Sequence, residues 1–257
     1  MNLRFPAFIG GFDADAASFF TRAGIIDGTQ KQAVNTMVVS LKAASLWSKM
    51  TVLYPFVGGT ATAHAQNLKA NQYNITWVGG AGVTHNANGV QGNGTTGYGN
   101  TNMLRNALGL TSVHLSAYAR SFTAAFSGAI GIDDGGTGHF TDLYHTPAST
   151  YEFGNNTAST TAATGNMVGH TIGSRSATQD QIIRPGLSAF VTNTSAALAD
   201  HLAGNFFVLA INRNGSAGLL NADPISLISA GSELTLAECL TFREIVNTYQ
   251  ADIGRAV

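Results

Sequence analysis

The chain has 257 residues and a formal net charge of -1, and only 11% of it is charged, against about 25% in an ordinary globular protein. It has no Lys/Arg cluster of the kind that nucleic acid or an anionic membrane surface requires, and no apolar run approaches the roughly 20 residues of a membrane-spanning helix. Gly, Asn, Thr, Ser and Ala stand in place of charge, a surface suited to a homo-oligomer or larger assembly and to neutral polar ligands.

Met1 to Gly10 holds one Arg and then FPAFIGG, too short for a secretory apolar core, so release by lysis or within a particle is expected. Phe12 to Ala23 reads as a short helix, opened by Asp13 or Asp15 and stopped by Gly24. A stronger helix is predicted from Asp27 to Met50, with Thr29 as N-cap and Val34, Met37, Val38, Leu41 and Ser45 on one stripe. Residues 1–50 are thus a helical lead-in to a β-domain of residues 51–257. The seam is Val52 to Lys69. Val52–Leu53–Tyr54 and Phe56–Val57 favour strand. Pro55 lacks a donor and should start that strand or lie at a sheet edge. Gly58–Gly59 then breaks it.

Short strands and turns follow. Ile75 to Val78 is a strand, and Val83 to Gly99 gives two more with turns at Asn88–Gly89 and Asn93–Gly94. Val113 to Arg120 alternates as a half-buried strand. Ala125 to Ile132, Phe140 to Tyr144, Thr150 to Phe153, Met167 to Ser174, Gln181 to Ile183 and Gly186 to Asn193 extend the series. Asn155 to Asn166 reads as an exposed loop, and Ser195 to Leu202 as one or two helical turns. Asn205 to Asn212 is apolar enough for one strand buried on both faces. Asn214–Gly215 turns the chain, and Ile225 to Ser229 is the last strand. Thr235 and Glu238 form a capping box, with Leu234 and Cys239 as its staple. The helix behind it carries Cys239, Phe242, Val246, Tyr249 and Ile253 on one face. About ten to twelve short strands with helices only at the ends predict a mainly β fold, an antiparallel jelly-roll β-sandwich with a C-terminal capping helix.

Catalytic patterns are weak. Gly92, Gly94 and Gly97 match G-x-G-x-x-G, but no helix pattern follows to receive a phosphate. Glycoside hydrolysis needs two carboxyl groups across a cleft. Of the four Glu, Glu233, Glu238 and Glu244 belong to the terminal helix or its approach, leaving Glu152. Asp133 and Asp134 are adjacent, so a strand would turn them to opposite faces. The chain therefore reads as no enzyme. Asp133 and Asp134 are also candidates for Ca²⁺, with Asp142 or Asp180 to complete a shell, although turn chemistry explains Asp-Asp-Gly-Gly equally. The seven His lack zinc-site spacing. Gly215-Ser-Ala-Gly218 fails as a nucleophile elbow, and the lone Cys239 reads as a buried thiol. Sugar binding needs aromatic faces beside amides and carboxylates. Tyr98, Tyr118, Tyr144 and Tyr151 lie near Asn-rich loops, and Tyr98, Asn93, Tyr144, Tyr151 and Asn155 are the ligand-binding candidates.

Four strings carry a resemblance: Leu46–Trp47–Ser48–Lys49–Met50, the run Tyr54 to Lys69, the Gly/Asn-rich hairpin Thr84 to Thr101, and Phe206 to Arg255 with its Q-x-x-x-G-R tail. With these the sequence resembles phage and prophage structural proteins that contain a concanavalin A-like, laminin-G-like sandwich. The resemblance implies a virion protein of tail or capsid, among other virion proteins, with no catalytic residues. The role expected is adhesion to a host-surface glycan. Decoration of the capsid and a polysaccharide hydrolase or lyase on the same fold are the alternatives.

Overall fold

The computed structural model describes residues 11–135, 138–156, 161–194, 196 and 198–257. Three α-helices lead off: α1 (Ala14–Ala23), α2 (Gly28–Ala43) and the single turn α3 (Ala61–His64). Strand β1 (Met50–Tyr54) precedes α3, and β2 (Thr76–Val78), β3 (Val83–Asn86), β4 (Gly89–Gly92), β5 (Tyr98–Leu104) and β6 (Val113–Ala119) follow it. The middle holds β7 (Ser127–Asp133), β8 (Phe140–Thr146), β9 (Thr150–Asn156), β10 (Thr161–Thr164), β11 (Gly169–Arg175), β12 (Gln179–Ile183) and β13 (Val191–Thr194). Last come β14 (Asn205–Val208), β15 (Ile211–Arg213), β16 (Ser216–Gly218), β17 (Pro224–Gly231) and helix α4 (Leu236–Asp252).

The strands form two sheets. Sheet A runs β13-β12-β11-β6-β17-β4-β3, with β1 also on β17; sheet B runs β10-β9-β8-β7-β14-β5-β2, with the β15–β16 hairpin on β7. Pairing is antiparallel except between β15 and β7. This is the antiparallel sandwich predicted, with its N-terminal helices and C-terminal helix. Val52, Leu115, Ala117, Ile228 and Ala230 of sheet A meet Ile130, Leu143, Phe153, Phe206 and Val208 of sheet B in the inter-sheet core. On the other face of sheet A, Leu53, Tyr118, Ile172, Ile183 and Leu227 join the apolar stripes of α1, α2 and α4 in a second core.

That helical layer explains where the sequence expectations need correction. β6 is buried along its whole length rather than on one face, because α4 covers His114, Ser116 and Tyr118. Helix α2 starts from Asp27, whose side chain accepts from the Gln30 amide, and not from Thr29. It stops at Ala43, since Ser45 turns to φ 59°. β1 ends before Pro55 instead of starting there, and Phe56 leaves the sheet at φ 42°. The expected strand Asn205 to Asn212 is broken by Leu209 at φ 59°. The expected loop Asn155 to Asn166 contributes the end of β9 and all of β10, while residues 157–160 lie outside the described residues. In Ser195 to Leu202 no helix occurs among the described residues; Ser195 and Ala197 lie outside them.

The resemblance-bearing strings are joined in space. Asn67 Oδ1 accepts from the Leu53 amide at 3.0 Å, and the Leu68 amide donates to Leu53 O at 2.9 Å, so this segment satisfies the free edge of β1. Lys69 Nζ donates to Trp47 O and lies 4.5 Å from the Trp47 ring. The tail closes over the same place. Buried Arg255 donates to Phe56 O at 2.8 Å, Pro55 O at 3.0 Å, Ser226 O at 3.2 Å and Gln250 Oε1 at 2.9 Å. Replacing Arg255 with Ala strands these carbonyls without donors. Urea unfolding should show a loss of about 3 kcal/mol or more, with the dependence on urea unchanged.

Beneath α4 runs a polar chain: His170 Nε2 to Ser116 Oγ at 3.0 Å, Ser116 to Ser229 at 2.7 Å, Ser229 to His114 Nε2 at 3.1 Å, and His114 Nδ1 to Ser232 O at 2.6 Å. With both rings neutral, each hydroxyl donates once and accepts once. Burial pulls His114 down to about 4 and His170 down to about 3. The unfolded chain therefore takes up these protons first on acidification. Their contribution is complete above the ordinary histidine value of 6.5 and is lost as pH falls toward 4. In His170→Gln, the slope of unfolding free energy with pH across that window should be shallower by about one proton.

Candidate functional site

Among the described residues the helical layer lies on sheet A, and a cleft of about 290 Å³ opens on the outer face of sheet B. Period-two alternation in β8 sends Leu143 to the inter-sheet core and sends Phe140, Asp142 and Tyr144 to the cleft. On β7, Asp133 pairs with Phe140 and Gly131 with Asp142; on β9, Gly154 pairs with Asp142 and Glu152 with Tyr144. Asp142 thus stands between two glycines. A Cβ at Gly131 would lie 2.4 Å from the Cβ of Asp142 and 2.7 Å from Ile211, so glycine at that position is what admits the carboxyl group.

The Asn214–Gly215 turn, with φ values of 51° and 93°, folds β15 against β16. It sets Arg213 beside Asp133, where Nε lies 2.9 Å from Oδ2 and 3.3 Å from Oδ1. Asp133 Oδ1 also accepts from the Gly135 amide at 2.8 Å. Asp134 Oδ2 accepts from the His139 amide at 3.2 Å. Tyr144 donates its hydroxyl to Glu152 Oε2 at 2.6 Å. Asp142 differs from all of these. It is 4% exposed, and its Oδ1 has no hydrogen-bond partner. Burial raises its pKa well above the usual carboxylate value, the charges of Asp133 and Glu152 add to the rise, and Arg213 opposes it. Phe126, 56% exposed, and Leu219 add apolar surface.

Of the residues singled out from sequence, Asp133, Asp134 and Tyr144 meet in this cleft together with Asp142. The others do not. Asn93 is an organiser of its own loop, its Oδ1 accepting from the amides of Thr95, Thr96 and Gly97. Tyr98 packs on Phe207 at 4.7 Å. Tyr151 and Asn155 face inward on β9, opposite to Glu152, and need correction as ligand contacts because both are buried. Asn155 accepts from Arg105 at 2.6 Å and from Thr141 at 2.8 Å, and donates to Leu110 O at 2.8 Å. Arg105 is a buried cation held by such neutral acceptors, and burial pulls it down to about 10. Tyr118 is covered by helices and tail. Cys239 is buried, its thiol pushed up to about 12 by burial. Asp180 is far from joining the cleft: it pairs with Arg175 at 3.1 Å inside the sandwich. Among the described residues, no group of three or more His, Cys, Asp or Glu side chains is arranged to hold a metal ion. Phe126 and Arg213 were not foreseen. The row Phe140-x-Asp142-x-Tyr144, mixed aromatic and acidic on one strand face, is the signal that would have located the cleft.

Fold and cleft together define a two-sheet antiparallel β-sandwich with an acidic, aromatic-edged cleft on its open sheet. No family model matches the sequence, and no curated protein matches it. Solved structures share the fold. Domain 4 of AbnA, a GH43 extracellular arabinanase from Geobacillus stearothermophilus, in complex with arabinotriose, is 14% identical with a TM-score of 0.54, over 76% of this chain and 98% of that one. Trypanosoma rangeli sialidase in complex with sialic acid is 12% identical with a TM-score of 0.51, over 83% of this chain but only 38% of the sialidase.

Asp142 binds its proton more tightly in the folded chain than in the unfolded one, so it subtracts from stability as pH rises above 3.8. Asp142→Asn removes that ionisation. Urea unfolding of the variant should show a gain of about 1 kcal/mol at pH 8 that shrinks toward pH 4.

Proposed function

We propose that this chain is a non-catalytic sugar-binding sandwich, carried as a structural protein of a phage particle on tail or capsid. As a homo-oligomer among other virion proteins, it adheres there to host-surface glycan. The observation that carries the sugar-binding part is the cleft itself. Phe140 and Tyr144 supply aromatic edges for the C–H faces of a sugar ring. Asp134, Asp142 and Arg213 supply hydrogen-bonding groups for its hydroxyls. The arabinanase domain of the same fold, whose structure is in complex with arabinotriose, adds support. The particle context rests on the strings Leu46 to Lys69 and Thr84 to Thr101.

A hydrolase is the second reading, favoured by one observation: Asp142, with its raised pKa, and Asp133, held by Arg213, share a cleft. Separated environments of that kind suit an acid and its partner. Against it, both carboxylates rise from one sheet floor, on neighbouring strands, instead of flanking a bond from opposite walls. A glycan array followed by calorimetry tests the main reading. Wild type should bind a defined set of oligosaccharides, and Phe140→Ala and Tyr144→Ala should each weaken binding by about tenfold. Steady release of reducing ends that stops in Asp142→Asn would replace adhesion by hydrolysis. An array blank at millimolar protein would leave a purely structural particle protein.

A further inference from the structure

Arg213 is fixed at one end and open at the other. The Asn214–Gly215 turn folds β15 onto β16, and the Arg213 stem lies against Gly218, where a Cβ would come within 2.3 Å of Cδ. Nε donates to Asp133 Oδ2 at 2.9 Å and, at longer range, to Oδ1 at 3.3 Å. A guanidinium carries five N–H donors in one plane, and this contact uses only the one on Nε. Nη1 and Nη2 make no hydrogen bond among the described residues, and neither is a buried atom. The side chain is 39% exposed and lines the cleft. Its outer edge is thus a planar set of donors, held from behind and open to whatever enters.

The charge of that edge is already matched. Arg213 and Asp133 form an ion pair, so an anionic sugar would meet a neutral pair and not a free cation. It could gain the full attraction only by displacing Asp133. What the edge still offers is geometry, since parallel N–H groups on Nη1 and Nη2 suit two oxygens held side by side. In an uncharged sugar those oxygens are hydroxyls on neighbouring carbons, gauche to each other. We infer that the cleft selects neutral sugars by a vicinal pair of hydroxyls, both accepting from Arg213, with Asp133 as the positioning residue that aims the guanidinium. The inference rests on the sugar-binding reading and names the group within the sugar that is recognised. Phe140 and Tyr144 give the ring a surface, and Arg213 decides which ring is held.

Deoxy mapping tests this. The probes are the methyl glycosides of glucose, galactose and mannose, each with its single-deoxy forms, titrated by NMR into the full chain. For the glycoside that binds best, loss of either of two neighbouring hydroxyls should weaken binding about tenfold, and loss of any other should change it by less than about twofold. This map is read on wild type and depends on no variant folding. Arg213→Lys keeps the charge and loses the planar fork, so the map should flatten to within about twofold. Asp133→Asn leaves the guanidinium unpaired. Methyl galacturonide, weaker than the neutral glycosides in wild type, should then gain about tenfold, whereas damage to the fold would weaken every glycoside alike. Losses at hydroxyls that are not neighbours, a map unchanged in Arg213→Lys, or no gain for galacturonide in Asp133→Asn overturns the inference and leaves sugar binding standing. So does binding on the glycan array without a response to any glycoside. A blank array and no response to any glycoside together remove the sugar-binding reading and the inference with it.

Discussion

Sheet A has to be covered twice. One face carries Val52, Leu115 and Ala117, which sheet B buries; the other carries apolar Leu53, Ile172 and Leu227 beside the buried polar chain of His114, Ser116 and His170. A second layer on that face must therefore be apolar and must leave the polar chain closed on itself. Helices α1, α2 and α4 supply it. Their stripes are made of Phe19, Val34, Met37, Val38, Leu41, Phe242 and Val246, and the capping box at Thr235 and Glu238 fixes where α4 begins. Lys49, which pairs with Glu238 at 2.6 Å, ties that start to the end of the lead-in. The lead-in, the seam and the tail are thus one device for sealing sheet A. On the far side, among the described residues, the outer face of sheet B carries the cleft lined by Phe140, Asp142 and Tyr144.

The molecule handles buried charge in two opposite ways. Arg105 and Arg255 are buried cations, each surrounded by neutral acceptors aimed at it: carbonyls, an amide oxygen, a hydroxyl. Such a guanidinium keeps most of its donors engaged and serves as a tie between segments distant in sequence, Arg255 to Phe56 and Arg105 to Asn155. Asp142 is a buried acid without that care. Nothing donates to its Oδ1, and its charged neighbours are mostly of its own sign. Fully satisfied groups hold a fold together, whereas a single unsatisfied one at the floor of a cleft is the kind of local inconsistency that binding sites retain.

The sandwich was legible because its signals are local and repeated. Asn214–Gly215, the Thr235–Glu238 box and the alternation of Val113 to Arg120 each report their own element, and together they permit little but two stacked sheets. The failures share one cause. Whether β6 is half buried, and whether Leu209 interrupts a strand, depend on what packs against them from far along the chain. Ser45 and Phe56 adopt positive φ for the same reason: the chain must change direction to dock helices on β1, and no glycine marks those turns. In the site, residue type misled where face did not. Tyr151 and Asn155 have the chemistry of a sugar contact but the parity of the core. Glu152, the one glutamate outside the terminal helix and its approach, has the parity of the cleft.

Parity also decides what the acidic pair can be. Asp133 and Asp134 are neighbours in sequence, and both reach the cleft only because β7 ends between them: Asp133 closes the strand, and Asp134 belongs to the turn that follows. The partner that matters to Asp133 on the sheet is then Asp142, one step along the adjacent strand. Arg213 lies across from Asp133 and pairs with it, and burial together with the charge of Asp133 raises the cost of ionising Asp142. The β15–β16 hairpin that delivers Arg213 therefore shapes this sheet floor as much as the acids themselves do. Gly218 is part of it, since a Cβ there would lie 2.3 Å from Arg213 Cδ. The character of the cleft is therefore written in two glycines and a turn, none of which touches the space a ligand would fill.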